Sequence, residues 1–222
     1  MASGLSFAWL PGALGAIAHG AATTLLLIAC TTVVGIALSI AGAAAGRSRW
    51  PAVRFAIAAY VEVMRNTPFL VQLFFIFFGL PALGIRLDPM AAAILAMTLN
   101  MAAYTIAIVG AGLDAVPRGQ KEAASALGLR PIQTFVKIVL PQALKIIYPA
   151  LTSQVVIMML ESAVVSQIAV RELAHEADLL QARTFRSFET YLVITLVYLG
   201  MTIVLRRVFV AGGRRILGAG VS

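Results

Sequence analysis

Apolar residues gather in five long runs along the chain, separated by shorter polar connections. The runs cover residues 20–45, 66–85, 90–113, 146–170 and 188–207. About 20 consecutive apolar residues are enough to cross the hydrocarbon core of a bilayer as a helix. None of the runs alternates apolar and polar residues as a strand of a membrane barrel does, and helices satisfy their own backbone hydrogen bonds in lipid. The pattern therefore predicts an all-α membrane protein with about five transmembrane helices.

Composition agrees with burial in lipid. Of the 222 residues, 61% are hydrophobic and 12% are charged, whereas soluble domains have about 45–50% apolar and about 25% charged residues. The whole chain, residues 1–222, is predicted to form one transmembrane domain. The net charge of +8 does not require a nucleic-acid partner, because the basic residues lie in the connections between apolar runs.

The basic residues also predict an orientation. They concentrate in the first connection, the third connection and the C-terminal tail, which all fall on one side of a five-span chain; they are Arg47, Arg49, Arg54, Arg118, Lys121, Arg130, Lys137, Lys145, Arg206, Arg207, Arg214 and Arg215. Connections rich in lysine and arginine stay in the cytoplasm. We therefore expect an external N-terminus and a cytoplasmic C-terminus. No cleavable signal peptide is expected, because residues 1–18 lack the basic start of such a peptide.

The connection at residues 117–144 is predicted to be a structured elbow. Strong helix formers surround Glu122 until Gly128, which can end a helix in the left-handed conformation. Pro131 then suits the start of a second helix that reaches Pro141 before the fourth span. Such an elbow would expose a face of alanines and Glu122 on the cytoplasmic side. The alternative is an amphipathic loop that lies on the lipid headgroups.

This connection resembles the EAA signature of permease subunits of ATP-binding-cassette (ABC) importers. The spacing of the signature is matched without an insertion or deletion, and the matching residues are Glu122, Ala123, Ala124, Gly128, Ile138, Leu140 and Pro141. Two further stretches, "RNTPFLVQLFFIFFGLP" and "RTFRSFETYLVITLVYL", look like motifs of the polar amino acid branch. The resemblance covers nearly the whole chain.

The resemblance implies a type I ABC importer permease fold in the bacterial inner (cytoplasmic) membrane. Its partners would be a second permease subunit, two cytoplasmic ATPase subunits that bind ATP and Mg²⁺, and a periplasmic or extracellular binding protein. The substrate would be a polar or charged amino acid or a close derivative. The chain would not itself be an enzyme and would bind no cofactor, since it has no GxxxxGK phosphate-binding loop.

The same resemblance makes residues 118–128 the coupling helix that docks on an ATPase subunit. The residues expected to couple to the ATPase are Glu122, Ala123, Ala124, Leu127 and Gly128. Glu122 would contact the ATPase, and Gly128 would provide the turn between the two helices. If Glu122 instead caps its own helix, docking depends on the neighbouring alanines.

The fourth span carries the expected substrate pathway. Glu161 is the one ionisable residue near its middle, and a charge there costs about 2.5–3.5 kcal/mol unless it faces a cavity or a partner. The predicted pathway residues are Gln154, Ile157, Met158, Glu161 and Ser162, and the usual acid of the family aligns with Glu161. The alternative role for Glu161 is a hydrogen bond between helices or across the subunit seam.

The chain departs from its family at three charged positions. Relatives commonly carry an acid and a base where this chain has Ala107 and Gly110, and a lysine where it has Leu160. Either the external binding protein selects the substrate, or this subunit is the less discriminating half of a heterodimer. We expect a heterodimer with a distinct permease rather than a homodimer.

The remaining charged residues suggest structural roles. Glu62 and Arg65 are spaced to pair along one helix, with a gate as the alternative. His19 and His175 have no second ligand nearby, so no metal site is predicted. The segment "RELAHEAD" is interpreted as an external helix that touches the binding protein or closes the pathway, or as a solvated loop.

Two other functional classes fit the hydropathy. A secondary amino acid transporter or exporter should show repeat-related halves with broken helices, whereas here the EAA connection has no counterpart. A membrane-embedded enzyme needs convergent catalytic groups, and no catalytic residue can be assigned in this sequence. The importer subunit explains more of the chain than either.

Overall fold

The computed structural model describes residues 4–218 and consists almost entirely of helices. These are α1 (Leu10–Ala45), α2 (Pro51–Arg65), α3 (Phe69–Phe74), α4 (Pro89–Asp114), α5 (Arg118–Ala126), α6 (Pro131–Thr134), α7 (Leu140–Glu161), α8 (Leu173–Thr184) and α9 (Ser187–Leu217). Within residues 4–218 there is no strand, as the hydropathy pattern predicts.

Among the residues that the structure describes, four helical stretches are long and apolar enough to cross a membrane: α1, α4, residues Pro131–Ile168 and α9. A fifth crossing is formed only if α2 and the helical stretch Phe69–Leu83 count together as one broken span. The predicted number of about five spans therefore holds if the bent pair of helices is counted as one span. α4 agrees with its predicted run to within a residue at each end, because Asp88 accepts a hydrogen bond from the Ala91 N–H and Pro89 follows in the first turn.

α1 begins at Leu10, ten residues before the predicted start of the first span. Its 36 residues have a length of about 54 Å, which exceeds a hydrocarbon core of about 30 Å. The additional N-terminal turns are held by packing, since Ala13 and Ile17 contact Leu173, Ala177 and other apolar residues of α8 and α9. Hydropathy locates the part of a helix in lipid, not the part that packs beyond it.

The second predicted span, residues 66–85, is only half of a bent unit. α2 ends at Arg65, α3 begins at Phe69, and their axes differ by 110°. Pro68 disfavours helical geometry at Thr67 and so separates the two helices. Beyond α3 the helix widens into a π turn at Phe75–Gly79 and tightens into a 3₁₀ turn at Leu80–Leu83.

The second half of the predicted elbow is continuous with the fourth span. α6, a π turn at Phe135–Val139, α7 and a 3₁₀ segment at Ser162–Ile168 follow one another without a break. The second elbow helix does not end near Pro141, because the proline lies in the first turn of α7 directly after the wider π turn. The separate elbow helix is thus only α5, and the helix that contains the predicted fourth span, 146–170, begins already at Pro131.

The core of the molecule lies between α1, α3, α4 and α7. α4 runs through its centre, with Met97 and Met101 fully buried against Leu27, Leu73 and Met158. Small residues allow the close approach of α1 and α4: a Cβ on Gly35 would lie 2.8 Å from the Met101 side chain. Apolar packing of this kind holds helices together in lipid, where the hydrophobic effect adds little.

The predicted cytoplasmic segments lie at one end of the bundle. Arg47, directly after α1, donates to Asp114 at the end of α4 at 2.9 Å and to the Gly110 carbonyl at 3.1 Å. α9 extends ten residues past its predicted end at residue 207, and Tyr148 of α7 donates to the Phe209 carbonyl at 2.6 Å. The basic connections and the tail therefore share one side, as the charge pattern requires.

Candidate functional site

The coupling helix predicted from the EAA signature is α5. Its C-terminus ends in a Schellman motif: the Leu129 N–H donates to the Ala124 carbonyl at 3.1 Å, and the Gly128 N–H donates to the Ser125 carbonyl at 3.0 Å. Gly128 has a φ of 74°, which is the left-handed conformation expected from the sequence. The turn sets the angle at which α5 leaves the long helix that begins at Pro131.

α5 has an exposed side and a buried side. Glu122, Ala123 and Leu127 face solvent, and Leu127 is 81% exposed. Ala124, in contrast, is only 1% exposed. The expectation that all the alanines form an exposed docking face is wrong at Ala124, since α5 packs this side against the π turn at Phe135–Val139. Ala124 packs inside the elbow, and the predicted coupling residues that stay open to a partner are Glu122, Ala123, Leu127 and Gly128.

Glu122 makes no side-chain hydrogen bond or ion pair with any described residue, and the α5 N-terminus has no side-chain cap. The alternative in which Glu122 caps its own helix is therefore not observed. Its carboxylate projects from the middle of a short helix into solvent, where a cationic or hydrogen-bonding partner can reach it.

The predicted pathway residues on α7 divide between two faces. Gln154, Met158 and Ser162 are turned into the protein, with exposures of 6%, 0% and 0%. Ile157 and Leu160 are about half exposed, at 47% and 50%. The first three residues therefore pack against the core in this conformation, and the stripe with Ile157 faces outward from the subunit.

Glu161 lies on the border between these two faces. It is the last residue of α7, where the helix tightens into the 3₁₀ segment Ser162–Ile168. One of its carboxylate oxygens, Oε2, is shielded from solvent and has no hydrogen-bond partner among the described residues. A shielded carboxylate oxygen without a partner costs about 1–3 kcal/mol or more, so the position favours a partner from outside this chain.

A polar network at the broken span was missed in the sequence. Gln72 of α3 donates to the Met64 carbonyl at 2.8 Å and to the Thr67 carbonyl at 3.0 Å, and accepts from Asn100 of α4 at 2.9 Å. Asn100 is the single amide of its apolar run and Gln72 lies well inside the preceding run, and a buried amide needs a partner in lipid. That signal could have predicted the contact. The network ties the end of α2 to the middle of α4.

The predicted pair between Glu62 and Arg65 is wrong. Glu62 accepts a hydrogen bond from Asn66 at 2.8 Å. The Arg65 guanidinium lies over the Tyr104 ring, 5.5 Å from its centroid. Arginine stacks well on aromatic faces, and α4 supplies such a face where spacing along α2 alone suggests a carboxylate.

The "RELAHEAD" segment forms α8, whose N-terminus is held by a buried carboxylate. Glu172 accepts from the His175 N–H at 2.8 Å, from the Tyr198 hydroxyl at 2.7 Å and from the Thr24 hydroxyl at 3.4 Å. Its side chain is fully buried, and burial raises its pKa, while these hydrogen bonds oppose the rise. Next to it, Arg171 pairs with Glu176 at 2.9 Å. We call Glu172, Thr24 and Tyr198 the α8 clamp, because they join α8 to α1 and α9.

Comparisons with known proteins agree on one family. A family profile described as "Binding-protein-dependent transport system inner membrane component" matches residues 35–218. The arginine transport system permease protein ArtQ of Bacillus subtilis (strain 168) is 34% identical over 190 residues, covering 85% of this chain and 87% of that protein. The L-cystine transport system permease protein TcyB of the same organism is 35% identical over 160 residues, covering 72% of this chain and 68% of that protein.

Solved structures give the same result. An amino acid ABC transporter crystallised with histidines contains a chain that is 32% identical and superimposes with a TM-score of 0.90, covering 96% of this chain and 99% of that one. A chain of the inward-facing MetNI methionine ABC transporter is 19% identical, with a TM-score of 0.75 and coverage of 98% and 100%. The second likeness concerns the fold alone.

Proposed function

Because this chain belongs to the family of binding-protein-dependent transport system inner membrane components, we propose that it forms the translocation pathway of an ABC importer for a polar or charged amino acid. It is a multi-pass permease subunit of the inner membrane with the type I importer fold, and ATP hydrolysis belongs to separate ATPase subunits. The amino acid class is supported by the relatives named for arginine and L-cystine transport. The observation that carries the proposal is the EAA elbow on this fold.

We further propose that α5 transmits the nucleotide-driven movement of an ATPase subunit. Glu122 and Leu127 are exposed on α5, and no described residue of this chain binds the Glu122 carboxylate. An exposed leucine beside an unpaired carboxylate suits a groove on another protein better than it suits water. Gly128 fixes the angle between α5 and the fourth span, so a push on α5 reaches α7 directly.

Glu161 is proposed to contact the substrate or the opposite permease subunit. Its Oε2 oxygen lacks a partner within the described chain, and it borders the outward stripe with Ile157. We propose that three buried residues pack behind this contact: Gln154, Met158 and Ser162. These residues become accessible to substrate only if α7 rotates. A substrate ammonium group is the natural complement of the carboxylate.

The proposal is tested with the whole complex in proteoliposomes. The chain is reconstituted with its ATPase subunits, the second permease subunit and the binding protein, and uptake of radiolabelled arginine, glutamine and cystine is measured with and without ATP. Uptake that requires both ATP and the binding protein supports the importer. Uptake that continues without ATP identifies the secondary transporter instead.

Glu161→Gln tests the pathway within the same assay. We expect normal assembly and basal ATPase activity, with uptake reduced about 10- to 100-fold, because a hydrogen bond to a charged group is worth about 1.5–3 kcal/mol. The order of preference among the three amino acids should also change. Ser153→Ala, on the same helix and exposed, serves as the control and should keep wild-type uptake. Unchanged rates and preference in Glu161→Gln would remove Glu161 from the pathway.

The orientation and the second subunit are also part of the proposal. The basic connections and tail are placed in the cytoplasm by the positive-inside bias, with α8 on the external side. The partner permease is proposed to be a distinct, related chain, since this chain has Ala107, Gly110 and Leu160 where the family resemblance leads us to expect charged residues.

A further inference from the structure

Four arginines on α9 form a cationic face that the transport mechanism does not use. Arg206 and Arg207 come directly after the apolar part of the fifth span, and Arg214 and Arg215 follow two turns later. All four side chains are exposed. Together with Ile203 and Val210 they line a shallow groove along one side of the helix. We call this groove the arginine face.

The arginine face has no anionic partner within residues 4–218. None of the four guanidinium groups lies within 4 Å of a carboxylate, whereas Arg47, Arg171 and Arg186 each form an ion pair. Within each pair, two unpaired cations at adjacent positions of the helix repel one another at short range. An anion bound between them removes that repulsion, so the groove favours an anionic ligand.

The opposite side of α9 fixes the direction of the arginine face. Tyr148 of α7 donates to the Phe209 carbonyl at 2.6 Å, and its ring packs on Gly213 so closely that a Cβ there would meet the ring carbon Cδ1 at 2.9 Å. Because the tyrosine occupies this position, α9 cannot rotate to turn its arginines inward. The groove therefore faces away from the bundle.

The position of the arginine face relative to the membrane indicates what kind of anion it binds. Arg206 follows a run of apolar residues that ends at Leu205, so the first arginine pair lies where the hydrocarbon meets the headgroups. The second pair lies about 12 Å further along the helix axis. Exposed Ile203, Val204 and Val208 lie beside the first pair. Apolar side chains next to guanidinium groups suit a molecule with an acyl chain and a phosphate, and arginine binds phosphate through two parallel hydrogen bonds.

We propose that the arginine face of α9 is a binding site for the phosphate headgroup of an anionic phospholipid. Arg206 and Arg207 hold the phosphodiester, and the acyl chains lie along Ile203 and Val204. Arg214 and Arg215 contact the outer part of the headgroup or a second lipid. The proposal rests on the proposed cytoplasmic position of the C-terminal end of α9, where the leaflet contains anionic lipid.

The test measures lipid binding to the purified complex, so its outcome is independent of transport activity. The assembled transporter is titrated with phosphatidylglycerol and with phosphatidylcholine of the same acyl chains, and bound lipid is counted by native mass spectrometry. We expect wild type to prefer phosphatidylglycerol. Arg206→Gln/Arg207→Gln should bind it about 25-fold more weakly, because each arginine next to an anionic headgroup contributes about a fivefold increase in affinity.

Arg49→Gln/Arg54→Gln is the matched control. It removes the same charge from exposed arginines outside α9 and should retain the preference for phosphatidylglycerol. Three results would overturn the proposal: no lipid preference in wild type, an equal loss in both double variants, or displacement of the lipid by millimolar inorganic phosphate. A fourth is loss of the ATPase subunits from Arg206→Gln/Arg207→Gln with lipid preference intact, since the face would then bind protein.

Discussion

Glu172 is a carboxylate that is buried without a cation. Its neighbour Arg171 pairs with Glu176 instead, and Glu172 is held by two hydroxyl groups and one backbone N–H. A buried charge is tolerated when hydrogen bonds replace its water. The α8 clamp can therefore join α1, α8 and α9 through one side chain, at the cost of a raised pKa of Glu172.

Replacing Glu172 should change how the stability of the complex depends on pH. Because burial raises its pKa above the ordinary 4.5, the folded protein binds more protons than the unfolded chain at pH values between 4.5 and the raised value. Wild type should therefore lose stability as the pH rises through this window, and Glu172→Gln should lose less. Thermal unfolding of the complex between pH 4.5 and 8 measures this difference. Parallel curves for the two proteins would contradict it.

Side-chain partners were the hardest feature to predict from the sequence. Thr24 and Glu172 meet across 148 residues of chain, and no local spacing indicates this contact. Arg65 finds Tyr104 rather than Glu62, because another helix supplies the better surface. The burial of Ala124 depends on the packing of α5 against the π turn. The residue types predicted that these side chains need hydrogen-bonding or stacking partners, but the identity of each partner depends on how the helices pack.

At the scale of elements, hydropathy located the spans and turn chemistry located Gly128. The pattern could not predict the 110° bend between α2 and α3, because hydropathy counts apolar residues without recording direction. It also missed that Pro141 does not interrupt the fourth span, since the π turn at Phe135–Val139 accommodates the proline. Bends, π turns and 3₁₀ segments therefore cannot be predicted from the number of apolar residues in a run.

Gly128→Val should uncouple transport from ATP hydrolysis. A left-handed φ of 74° costs an L-residue about 1–2 kcal/mol, and a β-branched side chain fits it worst. We expect insertion and ATPase activity to persist while uptake per ATP falls at least several-fold. Gly119→Val is the matched control on the same helix, because nothing lies within 4 Å of its Cβ position and its φ is not positive. Equal uptake in both variants would rule out Gly128 as the coupling turn.

The whole molecule presents an apolar surface that a second permease can cover. Ile157 and Leu160 of α7 are about half exposed, and so is a row on the short helix after the bend, with Val71 57%, Phe75 73% and Phe78 63% exposed. Lipid or protein can cover such a surface. The half-exposed stripe beside Glu161 favours a subunit seam.

We expect the purified transporter to contain one copy of this chain and one copy of a distinct permease, together with two ATPase subunits. The family resemblance implies charged residues where this chain has Ala107, Gly110 and Leu160, and we expect the other half to supply those charges. Native mass spectrometry of the complex expressed with its neighbouring permease genes gives the composition directly. A complex with two copies of this chain and no other membrane subunit would contradict the heterodimer.

The close contact between α1 and α4 has a consequence at the level of the gene. No single-nucleotide change of a glycine codon produces a smaller residue, so every missense mutation at Gly35 or Gly42 pushes a new side chain into Met101 or Ile106. Gly12 and Gly15 have no atoms within 4 Å of the same position. Random mutagenesis should therefore leave the codons for Gly12 and Gly15 free to drift, while alleles altered at Gly35 and Gly42 disappear under selection for growth on the transported nutrient.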